Sequence, residues 1–389
     1  ARSHMNFYDN YFMAKSQSKA DSSDFLSTEI SGNNIDYRTS NNVSVVRKQR
    51  RAEAMRKSNS KIKNGFDEIY KMLPHYFASS KMTLAIERDV AINAVLRASK
   101  ICQKVFQNLV TSDTVIKKDR SPVTVADFSA QAVVNKILYE SFPNDPIVGE
   151  EESGSLRGDN GKELRNKVLS LANTVLDTPL NDNELLDTID RGSFPGGSSG
   201  RIWALDPIDG TMGFLRGEQF CIGLALIIDG DVRLGVLGCP NLPVDLKAPE
   251  GEKGCLFVAI KGQEETQIRL ADISSPSAAL FCESVVAEHS SHGDAAKIAS
   301  FLGITKPPLR MDSICKYCAV ARGDADIYLR LPDHAARCIL IKEAEGIVSD
   351  INNKPLDFSL GRTLKTNKGV VVAHSKIHGQ VIDVVQRVI

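Results

Sequence analysis

The stretch Cys221 to Gly238, CIGLALIIDGDVRLGVLG, constrains the fold of this chain more than any other. Two apolar runs meet at Asp229-Gly230, and a glycine there supplies the positive φ that a tight hairpin needs, so the segment predicts two antiparallel strands. Just upstream, the apolar run IWAL (202–205) enters Asp206-Pro207-Ile208-Asp209-Gly210-Thr211. That is a strand whose end carries two acids on a stiff turn. Val95, Ala98, Cys102, Val105 and Leu109 step by three and four and predict a long amphipathic helix. A second helix is expected to begin near Thr124, with Pro122 before it and Pro143 ending it, which places Asp127 in or near its first turn. From about 278 onward short apolar strands (ADIYLR, GVVVAH) alternate with helical patterns (HAARCILIKEAEG, SKIHGQVIDVVQRVI). The chain is therefore of the α/β class, with α+β layering.

Residues 1–81 read differently. ARSHM resembles an expression scar, and the Ser/Asn-rich, aperiodic stretch after it predicts disorder. A basic run follows (Arg47, Lys48, Arg50, Arg51, Arg56, Lys57), then apolar residues at helical spacing from Ile62 to Leu73. Nucleic acid is not the expected partner. A DNA-reading role for 47–57 is the minor alternative, because the second helix of a helix-loop-helix reader is missing. The rest divides into an expected N-terminal α+β domain (82–275) and a C-terminal α/β domain (276–389) that completes the site.

Lys plus Arg and Asp plus Glu both number 48 in 389 residues, so no global field draws the chain to polyanions or membranes. The eight cysteines sit mostly in apolar runs, which predicts buried free thiols and a reducing, cytoplasmic setting, with nuclear entry through the basic segment as the alternative. Cys315-Lys316-Tyr317-Cys318 has half the spacing of a zinc site; without a second pair it is expected to be a piece of buried helix. Gly196-Gly197 lacks the Lys-Ser/Thr of a phosphate loop and reads as an ordinary loop. The expected assembly is a monomer.

Four acidic places stand out: Asp127, Glu150 in IVGEEES, Asp206 with Asp209, and Asp333 in LPDHAA. Carboxylates without accompanying His or Cys are hard ligands and point to Mg²⁺. Pro207 fixes φ and Gly210 permits a sharp turn, so both acids and the Ile208 carbonyl can be aimed at one point.

SPVTVADFSAQ, IVGEE, WALDPIDGTMGFLRGEQF, LGCPNL, MDSICKY and DHAA, in that order, resemble the inositol monophosphatase superfamily, and within it the 3'(2'),5'-bisphosphate nucleotidase branch. The resemblance implies an αβαβα sandwich of the sugar-phosphatase kind, two or three Mg²⁺ ions, inhibition by Li⁺, and a nucleotide carrying two phosphates as substrate. It assigns Glu150, Asp206 and the Ile208 carbonyl to one ion and Asp206, Asp209 and Asp333 to another. The same resemblance implies that Asp127 and Thr211 orient and deprotonate the attacking water, and that Gly210, His289, Ser313, Lys316 and Arg330 contact the substrate.

The chain departs from this pattern at three places. Met212 stands where the branch has Lys. The link from YLRLP to Asp333 is about ten residues short, and Arg337 and Glu345 replace glycines. Two other functions are consistent with these departures: inositol phosphate hydrolysis, or nucleotide binding with turnover impaired by the short link.

Overall fold

The chain divides into two units, residues 1–75 and 76–389. The computed structural model describes residues 84–111, 121–262, 268–285, 292–330, 336–358 and 367–389, all in the second unit. Helices α1 (Ala85–Thr111) and α2 (Ser121–Ser141) form the first layer. Behind them lies a five-stranded sheet ordered β1-β2-β3-β4-β5: Ile147–Val148, Arg201–Asp209, Cys221–Ile228, Asp231–Pro243 and Lys253–Ile260. Only β1 and β2 run parallel. The hairpin forms as expected, but Asp229 (φ 51°) joins Gly230 (φ 74°) in the left-handed region, as a type I′ turn requires.

Helices α3 (Lys162–Asn173) and α4 (Asp182–Asp190) flank α2. α4 opens on a capping box in which Asn181 and Glu184 bond each other's backbone amides. A short helix, α5 (Thr211–Arg216), leaves the end of β2.

The second sheet is ordered β7-β6-β8-β10-β9: β6 Phe281–Glu283, β7 Leu309–Arg310, β8 Ile327–Arg330, β9 Gly346–Ser349 and β10 Val370–His374. Helices α7 (Cys315–Ala321) and α8 (Ala336–Glu343) fill the space between the sheets, and α6 (His292–Phe301) and α9 (His378–Val388) cover the outer face. Alternation along β10 shows the layering: Val370 and Val372 join the inner core with α7 and α8, while Val371 and Ala373 join the outer core with α9. The result is an αβαβα sandwich.

Packing is close where α1 crosses the first sheet. A Cβ on Gly238 of β4 would sit 2.6 Å from Ser99 Oγ and 2.7 Å from Val95 Cγ1, so only glycine lets helix and strand approach this near. The Phe106, Phe214 and Phe220 rings, with centroids 4.8 to 5.5 Å apart, pin α5 to α1. That contact fixes the helix leaving the acidic turn.

One expectation is corrected. α2 begins at Ser121, with Pro122 as its second residue, and Asp127 therefore lies in the second turn. Proline is accepted at a helix start because its missing N–H has no partner there in any case. Asp127 thus gains little from the helix N-terminus. The segment 1–81, the link 331–335 and the acids and bases within them lie outside the described residues. No described helix is long and apolar enough to cross a membrane.

Candidate active site

The site begins with an irregularity in β2. Asp206 pairs with Gly223 and Asp209 with Cys221, so three steps along β2 match two along β3. In a straight strand residues three apart face opposite ways; the extra residue of this bulge brings both acids to one side. Pro207, with no N–H to give to the ladder, lies inside it. Gly210 then turns the chain at φ 89° and Thr211 opens α5.

Glu150, Asp206, Ile208, Asp209, Gly210 and Thr211 line one open pocket. Its opposite wall comes from the second half of the fold, through Ser284, Asp312, Ser313 and Lys316. The two walls are bound tightly. The Asp209 carboxylate accepts the Ile314 N–H. A Cβ on Gly210 would lie 2.5 Å from Ser313 Cβ, and one on Gly213 would lie 2.7 Å from Asp312 Cβ. Arg216 Nη2 donates to Asp312 Oδ2 at 2.5 Å. Ser313 is itself left-handed (φ 68°), strain of the kind that surrounding structure must hold in place.

Lys316 is buried, donates to the Met311 carbonyl at 3.3 Å and lies 5.6 Å above the Tyr328 ring. It is the cation of the pocket wall. Thr211 Oγ1 lies 3.4 Å from the Ile208 carbonyl oxygen. Met212, exposed, flanks the mouth.

Asp127 is buried, feels the charge of Glu150 and does not line the pocket. Burial first, and then the charges of Glu150 and Glu151, push its carboxyl well above the ordinary range. In the metal-free chain both effects oppose the anionic form. The Glu150-Glu151 turn is held by Gln131, whose side-chain oxygen accepts both backbone N–H groups at 2.9 Å.

Of the residues singled out from sequence, the structure gathers Glu150, Asp206, Ile208, Asp209, Gly210, Thr211, Ser313 and Lys316 in this pocket, while Asp127 is buried and does not line it. Asp333 and His289 lie outside the described residues, and Arg330 is described only by its backbone, paired with Val370 at the end of β8. Asp312, Ser284 and Gln131 were missed. Asp312 is in the quoted MDSICKY and Gln131 is one turn beyond Asp127, but neither spacing shows that its side chain points at the site.

No three carboxylate, imidazole or thiol groups among the described residues are drawn together as a finished coordination set. The donors nonetheless suit a hard divalent cation: Glu150, Asp206 and Asp209 with one carbonyl, and a buried Asp127 Oδ1 that accepts no hydrogen bond. Cys221 and Cys239, in contact at 3.5 Å, are free and fully buried, and burial pushes the Cys239 thiol up to about 11, so it is not a nucleophile at neutral pH. Cys315 and Cys318 belong to α7 and are likewise free and buried.

The architecture is a five-layer sandwich with an acidic pocket at the end of a bulged strand, and comparison with known proteins gives its family. The chain belongs to the inositol monophosphatase family, whose profile matches residues 86–389, and with it is a phosphatase. Its similarity is closer to particular members. A 3'(2'),5'-bisphosphate nucleotidase of Schizosaccharomyces pombe is 43% identical over 336 residues, which covers 78% of this chain and 95% of that protein. The protein of the same name from Emericella nidulans is 44% identical over 353 residues, covering 79% and 99%. Among solved structures, an inositol monophosphatase from Anabaena superposes with a TM-score of 0.52 at 21% identity, over 79% of this chain and 98% of that one. One from Thermotoga maritima gives 0.51 at 20%, over 78% and 98%. At such identities the likeness is one of fold.

Proposed function

We propose that this chain is a Mg²⁺-dependent phosphatase that removes the 3'-phosphate from 3'-phosphoadenosine 5'-phosphate, leaving AMP, and that it also accepts the sulfated analogue. One observation carries the reading: a pocket with three carboxylates and a hydroxyl on one wall faces a buried lysine on the other. A substrate with a phosphate at each end needs two such unlike places. The names of the relatives point to the same substrate class.

Glu150, Asp206, Asp209 and the Ile208 carbonyl would hold the cations, joined by Asp333. A hard divalent cation supplies Lewis acidity toward the phosphoryl oxygens and compensates their charge. The chain's own groups do the rest. Thr211 presents its hydroxyl to the attacking water, and Asp127, a buried acid with an unfilled Oδ1, takes up the proton. Lys316 and Ser313 hold the phosphate that does not react, and Gly210, whose missing Cβ lets Ser313 approach, lines the same pocket and is assigned to the substrate on the sequence pattern. His289 and Arg330 are assigned to the nucleotide on the sequence pattern alone. In this reading 82–275 carries most of the cation ligands, and 276–389 completes the site with Asp333 and the groups that hold the nucleotide.

The test is phosphate release from 3'-phosphoadenosine 5'-phosphate with Mg²⁺, then with EDTA, then with Li⁺, against inositol monophosphate as competing substrate. Release abolished by EDTA, inhibited by Li⁺ and selective for the nucleotide supports the proposal. Preference for inositol monophosphate overturns the substrate. A folded chain that binds the nucleotide without releasing phosphate overturns the activity and places its function in binding.

A further inference from the structure

Gln131 is fully buried on α2, one turn beyond Asp127, and its amide is saturated. Oε1 accepts the Glu150 and Glu151 N–H groups at 2.9 Å each, while Nε2 donates to the Glu151 carbonyl at 2.7 Å and to the Ile189 carbonyl at 3.1 Å. An amide has two acceptor positions and two donor hydrogens, so all four are used and the side chain has one possible orientation. Turned over, it would set N–H against N–H and oxygen against oxygen. Two glycines make room for it. A Cβ on Gly149 would lie 2.6 Å from Oε1, and one on Gly192 would lie 2.8 Å from Nε2.

The acidic turn therefore does not hold its own shape. Gln131 fixes the two backbone amides of Glu150 and Glu151 to the helix that carries Asp127, and fixes both to the end of α4. We propose that Gln131 is a positioning residue of the reaction: its amide fixes the turn that carries the Glu150 carboxylate, and so sets the affinity of the site for its divalent cation. This rests on the reading of the pocket as a cation site. A ligand-bearing turn held by a saturated buried amide loses affinity when the amide goes, because residues that orient ligands are each worth about 10- to 100-fold in metal binding.

A merely structural glutamine predicts something else. Asn135, one turn further on, supplies the comparison: its Nδ2 donates to the Thr188 and Ile189 carbonyls at 2.9 and 3.3 Å, on α4 and not in the acidic turn. Q131M keeps the volume and removes every hydrogen bond, G192A pushes on Nε2 without removing the amide, and N135L weakens the same helix contact away from the site. The whole chain is used for each variant, with Mg²⁺ binding by calorimetry, the rise in Tm on adding Mg²⁺, and KM and kcat at saturating Mg²⁺.

The expected result is that Q131M binds Mg²⁺ about 10- to 100-fold more weakly, G192A follows in the same direction by a smaller factor, and N135L lowers Tm yet binds as wild type does. The KM for nucleotide at saturating Mg²⁺ stays within about twofold, since Lys316 and Ser313 are untouched. If Q131M does not fold, G192A decides alone. Mg²⁺ affinity within about twofold of wild type in the variants that fold, or an equal loss in N135L, overturns the assignment while leaving the proposed activity standing. A wild-type chain that binds no Mg²⁺ overturns both.

Discussion

Gly210→Ala tests the central geometry of the site most directly. Gly210 has φ 89°, where an added Cβ would lie 2.5 Å from Ser313 Cβ and 3.2 Å from both the Gln219 carbonyl oxygen and Ser313 Cα. An L residue in this region costs about 1–2 kcal/mol, and forced overpacking adds about 1–3. The expected loss is about 2–5 kcal/mol, or roughly 4–10 °C in Tm for a unit of this size. Relief of the clash needs the two walls to part by about 1 Å, to the ordinary van der Waals contact. The residues that move are Asp209 and Thr211 on one side and Ser313 on the other, and a 1 Å displacement costs on the order of a hundredfold in rate. Gly200→Ala is the control: its φ is 78° but nothing lies within 4 Å of the added Cβ, so it carries the strain without the displacement. The assay is phosphate release with the Tm of both variants. Wild-type kcat in Gly210→Ala with Tm unchanged would refute the close docking of the two walls; equal activity losses in the two variants would show that strain, and not displacement, disables the site.

Asp206→Asn is expected to abolish turnover, whereas Asp182→Asn, which alters the half-buried ion pair to Arg165 away from the pocket, stays within about twofold; comparable losses in the two would remove the cation assignment. Arg216→Ala breaks the 2.5 Å ion pair that ties α5 to Asp312 and should cost about 1–2 kcal/mol in denaturant unfolding, discounted because the guanidinium is a third exposed, with a larger loss in kcat/KM than in stability. A stability loss with kcat/KM intact would make this pair structural only. Glu345, left-handed at φ 68° just past α8, replaces the glycine expected there, so Glu345→Gly should raise Tm by about 1–3 °C even though it loses the exposed 3.5 Å contact to Arg269; a lower Tm refutes the strain. In metal-free chain, the raised carboxyl of Asp127 contributes stability that is full below the ordinary value of 3.8 and is lost as pH rises through its folded value. Tm in EDTA should therefore fall more steeply with rising pH for wild type than for Asp127→Asn, and identical slopes would show that Asp127 is not held neutral.

Much of this was legible because the relevant signals are local. The apolar runs on either side of Asp229-Gly230 give the hairpin, and the order of the acidic segments identifies the family before any contact is known. Asp127 shows where local reading fails. Its sequence neighbours suggest a helix start and a stabilised anion, whereas its state depends on Glu150 and Glu151, about twenty positions away in the chain and joined to it only in the fold. Gln131 and Asp312 were invisible for the same reason: a buried polar residue is recognised by what it bonds, and the partners lie on other elements.

The sequence by itself determined the residue types of the site and the stiffness of the turn that bears them, because proline, glycine and carboxylates act through their own covalent geometry and charge. Tertiary structure decided which way they face. The bulge opposite Gly223 and Cys221 turns Asp206 and Asp209 to one side, and the second half of the fold sets Ser313 and Lys316 against them. Facing is a property of pairing and packing between distant segments, and those energies exist only once the sheets are built.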